Sequence, residues 1–139
     1  MVIPAQLRRQ TIQRARNRCE YCGLSQISQE AIFHIDHVVP VAAGGKTILT
    51  NLALACVSCS LRKGARLTVT DPETGLEKAL FNPRRDSWRL HFRWNGTHLL
   101  GISPAGRATV AALKLNRPLV QAIRAEEALR GWHPPPTHL

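Results

Sequence analysis

The chain has 139 residues and carries 19 Lys and Arg against 9 acidic residues, a formal net charge of +10 that suits a polyanionic partner, whether nucleic acid or an anionic membrane surface. This length fits a single domain spanning 1–139 with a modest core, and argues against two large domains. No apolar run approaches the roughly 20 residues of a membrane span and the N-terminus has no signal-peptide core, so a soluble cytoplasmic protein with no membrane partner is expected.

In chain order, residues 4–17 read as a helix. Pro4 is tolerated in the first turn, good helix formers follow, and Leu7, Ile12 and Ala15 alternate with Arg8, Arg9, Arg14 and Arg16. These arginines suit either a solvated face or phosphate contact. Cys19-Glu20-Tyr21-Cys22 follows, and Cys56-Val57-Ser58-Cys59 repeats its spacing 37 residues later. Two Cys-x-x-Cys pairs supply four thiolates to one tetrahedral ion, as structural zinc requires. All four cysteines of the chain fall in these pairs, which in a reducing compartment favours metal over disulfides.

Between the pairs, residues 31–39 are strand-like through Ile32, Phe33, Ile35, Val38 and Val39. Alternation puts His34 and Asp36 on one face and His37 on the other. A carboxylate suits a hard cation and an imidazole suits proton transfer near neutral pH, so Asp36-His37 has the composition of a metal-assisted hydrolytic site. Pro40 stops the strand, and Ala42-Ala43-Gly44-Gly45 makes a loop. Gly45-Lys46-Thr47 is no nucleotide-binding loop, because Pro40 stands where the first required glycine belongs. Residues 49–55 read as a second strand and 57–65 as a helix carrying Ser60, Arg62 and Lys63.

Farther on, Asp71-Pro72-Glu73-Thr74-Gly75 is a turn. Residues 88–94 alternate, with Trp88, Leu90, Phe92 and Trp94 on one face, read as core, and Arg89, His91 and Arg93 on the other. Asn95-Gly96 marks a hairpin into residues 97–102. Ser103-Pro104 opens a helix over 105–115, a second helix covers 118–130, and Pro134-Pro135-Pro136 begins an extended tail. Arg62, Lys63, Arg84, Arg85, Arg89, His91 and Arg93 are the candidate nucleic-acid contacts.

The ordered set of paired Cys-x-x-Cys, Asp36-His37-Val38-Val39-Pro40, Gly44-Gly45, Asn51-Leu52 and Lys63 resembles the HNH endonucleases of the ββα-metal (His-Me finger) class, in the zinc-stabilised branch. The resemblance covers about residues 15–66. It implies an α+β fold: a zinc-stapled ββα core with an N-terminal helix, extended over 67–133 by a β-hairpin and helices. It also implies metal-dependent hydrolysis of phosphodiester bonds, of DNA ahead of RNA, with 5′-phosphate and 3′-hydroxyl products. His37 is then the general base, Asp36 a ligand of Mg²⁺ or another divalent cation, and Asn51 the residue whose amide holds the loop that positions the base. One position departs from the family: the residue after the last cysteine, usually Asn or His, is Ser60. Ser60 stays a candidate ligand of that cation, but a serine hydroxyl would hold it loosely or through a bridging water, so His34, on the strand face of Asp36, and His91 are candidates to complete the shell. The alternative reading is a zinc module that binds nucleic acid without cutting it.

Overall fold

Ala5–Arg14 form helix α1, entered through Pro4, and the helix ends where Arg16 and Asn17 take left-handed backbone angles. The chain is seen in a computed structural model that describes residues 2–136. It continues through strand β1 (His34–His37), strand β2 (Leu52–Ala55) and helix α2 (Val57–Lys63). Strands β3 (Thr68–Thr70) and β4 (Glu77–Ala79), helix α3 (Trp88–His91), strands β5 (Phe92–Asn95) and β6 (His98–Gly101), and helices α4 (Pro104–Ala112) and α5 (Pro118–Leu129) complete it. The class is α+β. Three two-stranded antiparallel sheets, β1-β2, β3-β4 and β5-β6, alternate with helices along the chain. The contacts fall into two compact units, one running to Ala65 and taking in Asn82–Arg84, the other made of Arg66–Phe81 and the chain from Arg85 onward.

In the first unit β1 pairs with β2 in the register His34↔Ala55, Ile35↔Leu54, Asp36↔Ala53 and His37↔Leu52. The strand is shorter than its apolar run, because Ile32 is exposed and Val38 already leaves the ladder to donate to the Asn51 carbonyl. Residues 49–51 form a 3₁₀ turn rather than the start of a strand. Phe33, Ile35, Leu52, Leu54, Tyr21 and Leu24 form the core. Arg14 is exposed, yet its guanidinium is engaged by backbone. Its guanidinium donates to the Leu49 carbonyl at 2.7 Å and also to that of Leu52, closing the backbone at the entry to β2.

In the second unit the strand expected over 88–94 is interrupted. Residues 88–91 make a single helical turn and the strand begins only at Phe92. The close approach of α4 accounts for this. A Cβ on Gly106 would lie 2.1 Å from the His91 carbonyl oxygen, so α4 packs directly on that turn. The alternation of faces is lost with the strand: Phe92 is buried, but Leu90 is 69% exposed. The Asn95-Gly96 hairpin forms with a two-residue loop, Asn95 facing His98. The β3-β4 hairpin was not visible in the sequence beyond its turn. There the buried Asp71 carboxylate accepts from Glu73 N–H and Thr74 Oγ1 and takes a two-pronged contact from Arg107, at 3.1 Å to Nε and 3.0 Å to Nη2.

Candidate active site and metal centre

The metal centre is built from two tight turns. In the first, Gly23 N–H returns to the Cys19 carbonyl at 3.0 Å and Cys22 N–H points at Cys19 Sγ at 3.4 Å. In the second, Cys56 caps α2, its sulfur accepting from Cys59 N–H at 3.4 Å. β2 joins the two turns: Glu20 N–H donates to the Leu54 carbonyl, and the Glu20 carboxylate accepts from Leu54 N–H at 2.8 Å. The four sulfurs lie within 4.8 Å of one another, all buried, and none is in a disulfide. Tetrahedral ligands at a zinc–sulfur distance of about 2.3 Å have edges of about 3.8 Å. The Cys22–Cys56 sulfurs are 3.8 Å apart. Among thiols alone, hydrogen bonds from Cys19, Cys22 and Cys59 pull Cys56 down, while hydrogen bonding to Cys19 and burial push Cys22 and Cys59 up. Only a cation lets all four ionise together, so this group is arranged to hold a metal ion and its donor set suits Zn²⁺.

Beside it lies the strand-borne group. His37 Nε2 is hydrogen-bonded to Thr47 Oγ1 at 2.8 Å, which leaves Nδ1 as the ring's second functional nitrogen. The loop that brings Thr47 there is tied by Asn51, whose Oδ1 accepts from Val39 N–H at 2.9 Å and whose Nδ2 donates to the carbonyls of Val39 and Lys46. Gly45 completes this packing. A Cβ there would sit 1.7 Å from the Val39 carbonyl oxygen, so the glycine serves close approach as much as flexibility.

Asp36 is mostly buried, and burial pushes its carboxyl above the usual range against the opposing pull of Lys63. The Lys63 ammonium is 3.0 Å from Asp36 Oδ2 and donates at 3.0 Å to the His37 carbonyl. This buried oxygen is therefore held by the ion pair with Lys63. On the same face, His34 Nδ1 and Ser60 Oγ share a hydrogen bond of 3.0 Å, which brings the departing position 60 and its candidate substitute together. Among the described residues the four cysteines are the one set of three or more His, Cys, Asp or Glu ligands. A cation at Asp36 would therefore have few protein donors and keep several waters, as Mg²⁺ commonly does.

The basic residues separate into two kinds. Lys63 is 1% exposed and ion-paired with Asp36. Arg84 is mostly buried and ion-paired with Glu20. His91 Nδ1 meets Ser103 Oγ at 2.6 Å and its ring lies edge-on to Phe81 and Phe92, so it is built into the second unit. Arg62 donates to Ser58 Oγ at 3.2 Å from α2. Arg85, Arg89 and Arg93 are exposed, Arg85 beside Asp86.

A family model described as HNH endonuclease matches residues 19–66, about a third of the chain. Residues 19–66 are thus similar to the HNH endonucleases. Neither a curated protein nor a solved structure matches the chain. The HNH segment begins at the first cysteine, ends after α2, and thus contains the cysteine cluster, Asp36, His37, Asn51 and Ser60. It gives the chain a nuclease or nucleic-acid-binding role. Two of its functional contacts were not singled out in the sequence: Thr47 as the partner of His37, and Lys63 as the partner of Asp36. The spacing of Lys63 from the last cysteine was visible, but its burial was not. No helix among the described residues is long and apolar enough to cross a membrane.

Proposed function

We propose that the HNH segment hydrolyses phosphodiester bonds of DNA with a divalent cation at Asp36 and His37 as general base. The observation that carries this reading is the pairing of two adjacent side chains prepared for different work. Asp36 offers a mostly buried carboxylate ion-paired with Lys63, and His37 is oriented by Thr47 through Nε2. When Nε2–H donates to Thr47, Nδ1 carries the lone pair that accepts a proton from water. As that proton leaves, the water oxygen bonds to phosphorus and the bond from phosphorus to the 3′ oxygen breaks, giving a 5′-phosphate and, once the leaving oxygen is protonated, a 3′-hydroxyl. A divalent cation at Asp36 supplies charge neutralisation at the scissile phosphate and the leaving oxygen. Asn51 keeps the loop under His37 in place. Zn²⁺ on the four cysteines is structural, since four thiolates leave no coordination position for water. The exposed Arg85, Arg89 and Arg93, together with Arg62, are the proposed backbone contacts.

The test is incubation of supercoiled plasmid with the zinc-loaded protein across Mg²⁺, Mn²⁺ and Ni²⁺, with an EDTA control. Metal-dependent conversion to nicked circles is expected. DNA binding with no cleavage under any of these metals would establish the non-catalytic zinc module instead.

A further inference from the structure

Position 60 stands where the family places a ligand, yet here its side chain holds another residue. Ser60 Oγ is 3.0 Å from Nδ1 of His34, an exposed imidazole two positions before Asp36 on β1. Residues two apart on a strand share a face, with Cα atoms roughly 6.5–7 Å apart, a spacing that lets two side chains close on one ion. Ser60 adds the remaining requirement. A ligating histidine generally donates its other ring N–H to an oxygen, which fixes the tautomer and the ring's direction. With Nδ1–H donated to Ser60, Nε2 carries the lone pair.

Resting on the metal-dependent reading above, we propose that His34 Nε2 and Asp36 chelate the catalytic cation from β1, with Ser60 as the residue that orients His34 and not as a ligand. The ligand lost from α2 is thereby replaced from the neighbouring strand. The consequence is a change in metal preference. One imidazole with one carboxylate favours Ni²⁺, Co²⁺ or Zn²⁺ over Mg²⁺, which prefers oxygen donors and gains little from an imidazole. Substrate identity does not enter this inference.

The experiment is calorimetric titration of the zinc-loaded full chain with Ni²⁺ and with Mg²⁺, in the parent and in His34→Ala, His34→Gln, Ser60→Ala and Ser60→Thr. His34 is exposed, so its replacement leaves the core intact. Loss of Ni²⁺ affinity by at least tenfold is expected in both His34 variants, with Mg²⁺ affinity nearly unchanged. Ser60→Ala should weaken Ni²⁺ binding by about tenfold, at the lower end of the effect of removing an orienting partner. Ser60→Thr, which keeps the hydroxyl, should restore it. Equal Ni²⁺ affinity in parent and His34→Ala would overturn the proposal, as would parallel loss of Ni²⁺ and Mg²⁺, which would mark a damaged site and not a lost ligand. His34-dependent Ni²⁺ binding in a protein that nicks no DNA would support this chelate while removing the nuclease reading. Nicking with His34-independent metal affinity would do the reverse.

Discussion

Replacing Lys63 with methionine separates the buried ion pair from the phosphate-binding role its charge suggested. Lys63 is 1% exposed and the Asp36 side chain 13%, so solvent screens the pair little. Removing one partner of a buried pair costs about 3–5 kcal/mol, and the donation to the His37 carbonyl by itself is worth about 1.5–3 kcal/mol. Asp36 has an escape: burial already raises its carboxyl, and without Lys63 it can take up a proton and shed its charge. We therefore expect about 3 kcal/mol, the lower end of the range. This equals roughly a hundredfold increase in opening of the β1-β2 ladder. All three tryptophans lie after residue 87, in the second unit, so tryptophan fluorescence would miss the event. Native-state hydrogen exchange of the β1 and β2 amides reads it directly. Adding Asp36→Asn to Lys63→Met should recover part of the loss, since the orphaned charge goes with it. A change below about 1 kcal/mol, together with a DNA-binding salt slope lowered by about one unit, would refute the reasoning and return Lys63 to the phosphate-facing surface.

Three further outcomes follow from the same contacts. Metal analysis should find one Zn²⁺ per chain, and a strong chelator should unfold the β1-β2 unit; absence of zinc with unchanged exchange protection after Cys59→Ser would remove the metal staple. Arg107 holds the Asp71 carboxyl at about 2, below its unfolded value near 3.9, so this contact stabilises the fold above about pH 4 and its contribution is lost as pH falls through 2. Acid titration followed by tryptophan fluorescence should show this loss in the parent and a smaller one in Arg107→Gln, where the Glu73 and Thr74 donors remain. Replacing Arg85, Arg89 and Arg93 together should weaken binding to all DNA sequences alike and flatten the salt dependence, measured by fluorescence anisotropy, and parental affinity with a parental slope would leave these arginines as solvated surface.

What could be read from the chain was whatever depends on local spacing. The two Cys-x-x-Cys turns, the His34–Asp36 face and the Asn95-Gly96 hairpin need only a tight turn, a strand period or a two-residue loop. What could not be read was the direction taken by long basic side chains once distant segments meet. Arg14 ends on backbone carbonyls at the entry to β2, Lys63 on Asp36, Arg84 on Glu20 and Arg107 on Asp71, while the buried Arg124 donates to the Thr97 carbonyl and lies 4.9 Å over the Trp94 ring. A formal charge of +10 therefore overstates the number of cations facing solvent. The same limit explains residues 88–91. Their alternation fits a strand by period, and the packing of Gly106 on the His91 carbonyl converts it to a helical turn that no local pattern records.

In the proposed reaction His37 transfers a proton and does not merely shape a nucleic-acid surface. The direct measurement is the single-turnover nicking rate of parent and His37→Ala under saturating divalent cation, at protein concentrations set from their measured DNA affinities. The rate in His37→Ala should be lower by about 10²–10⁴-fold at nearly unchanged affinity. Equal rates in the two proteins would contradict it.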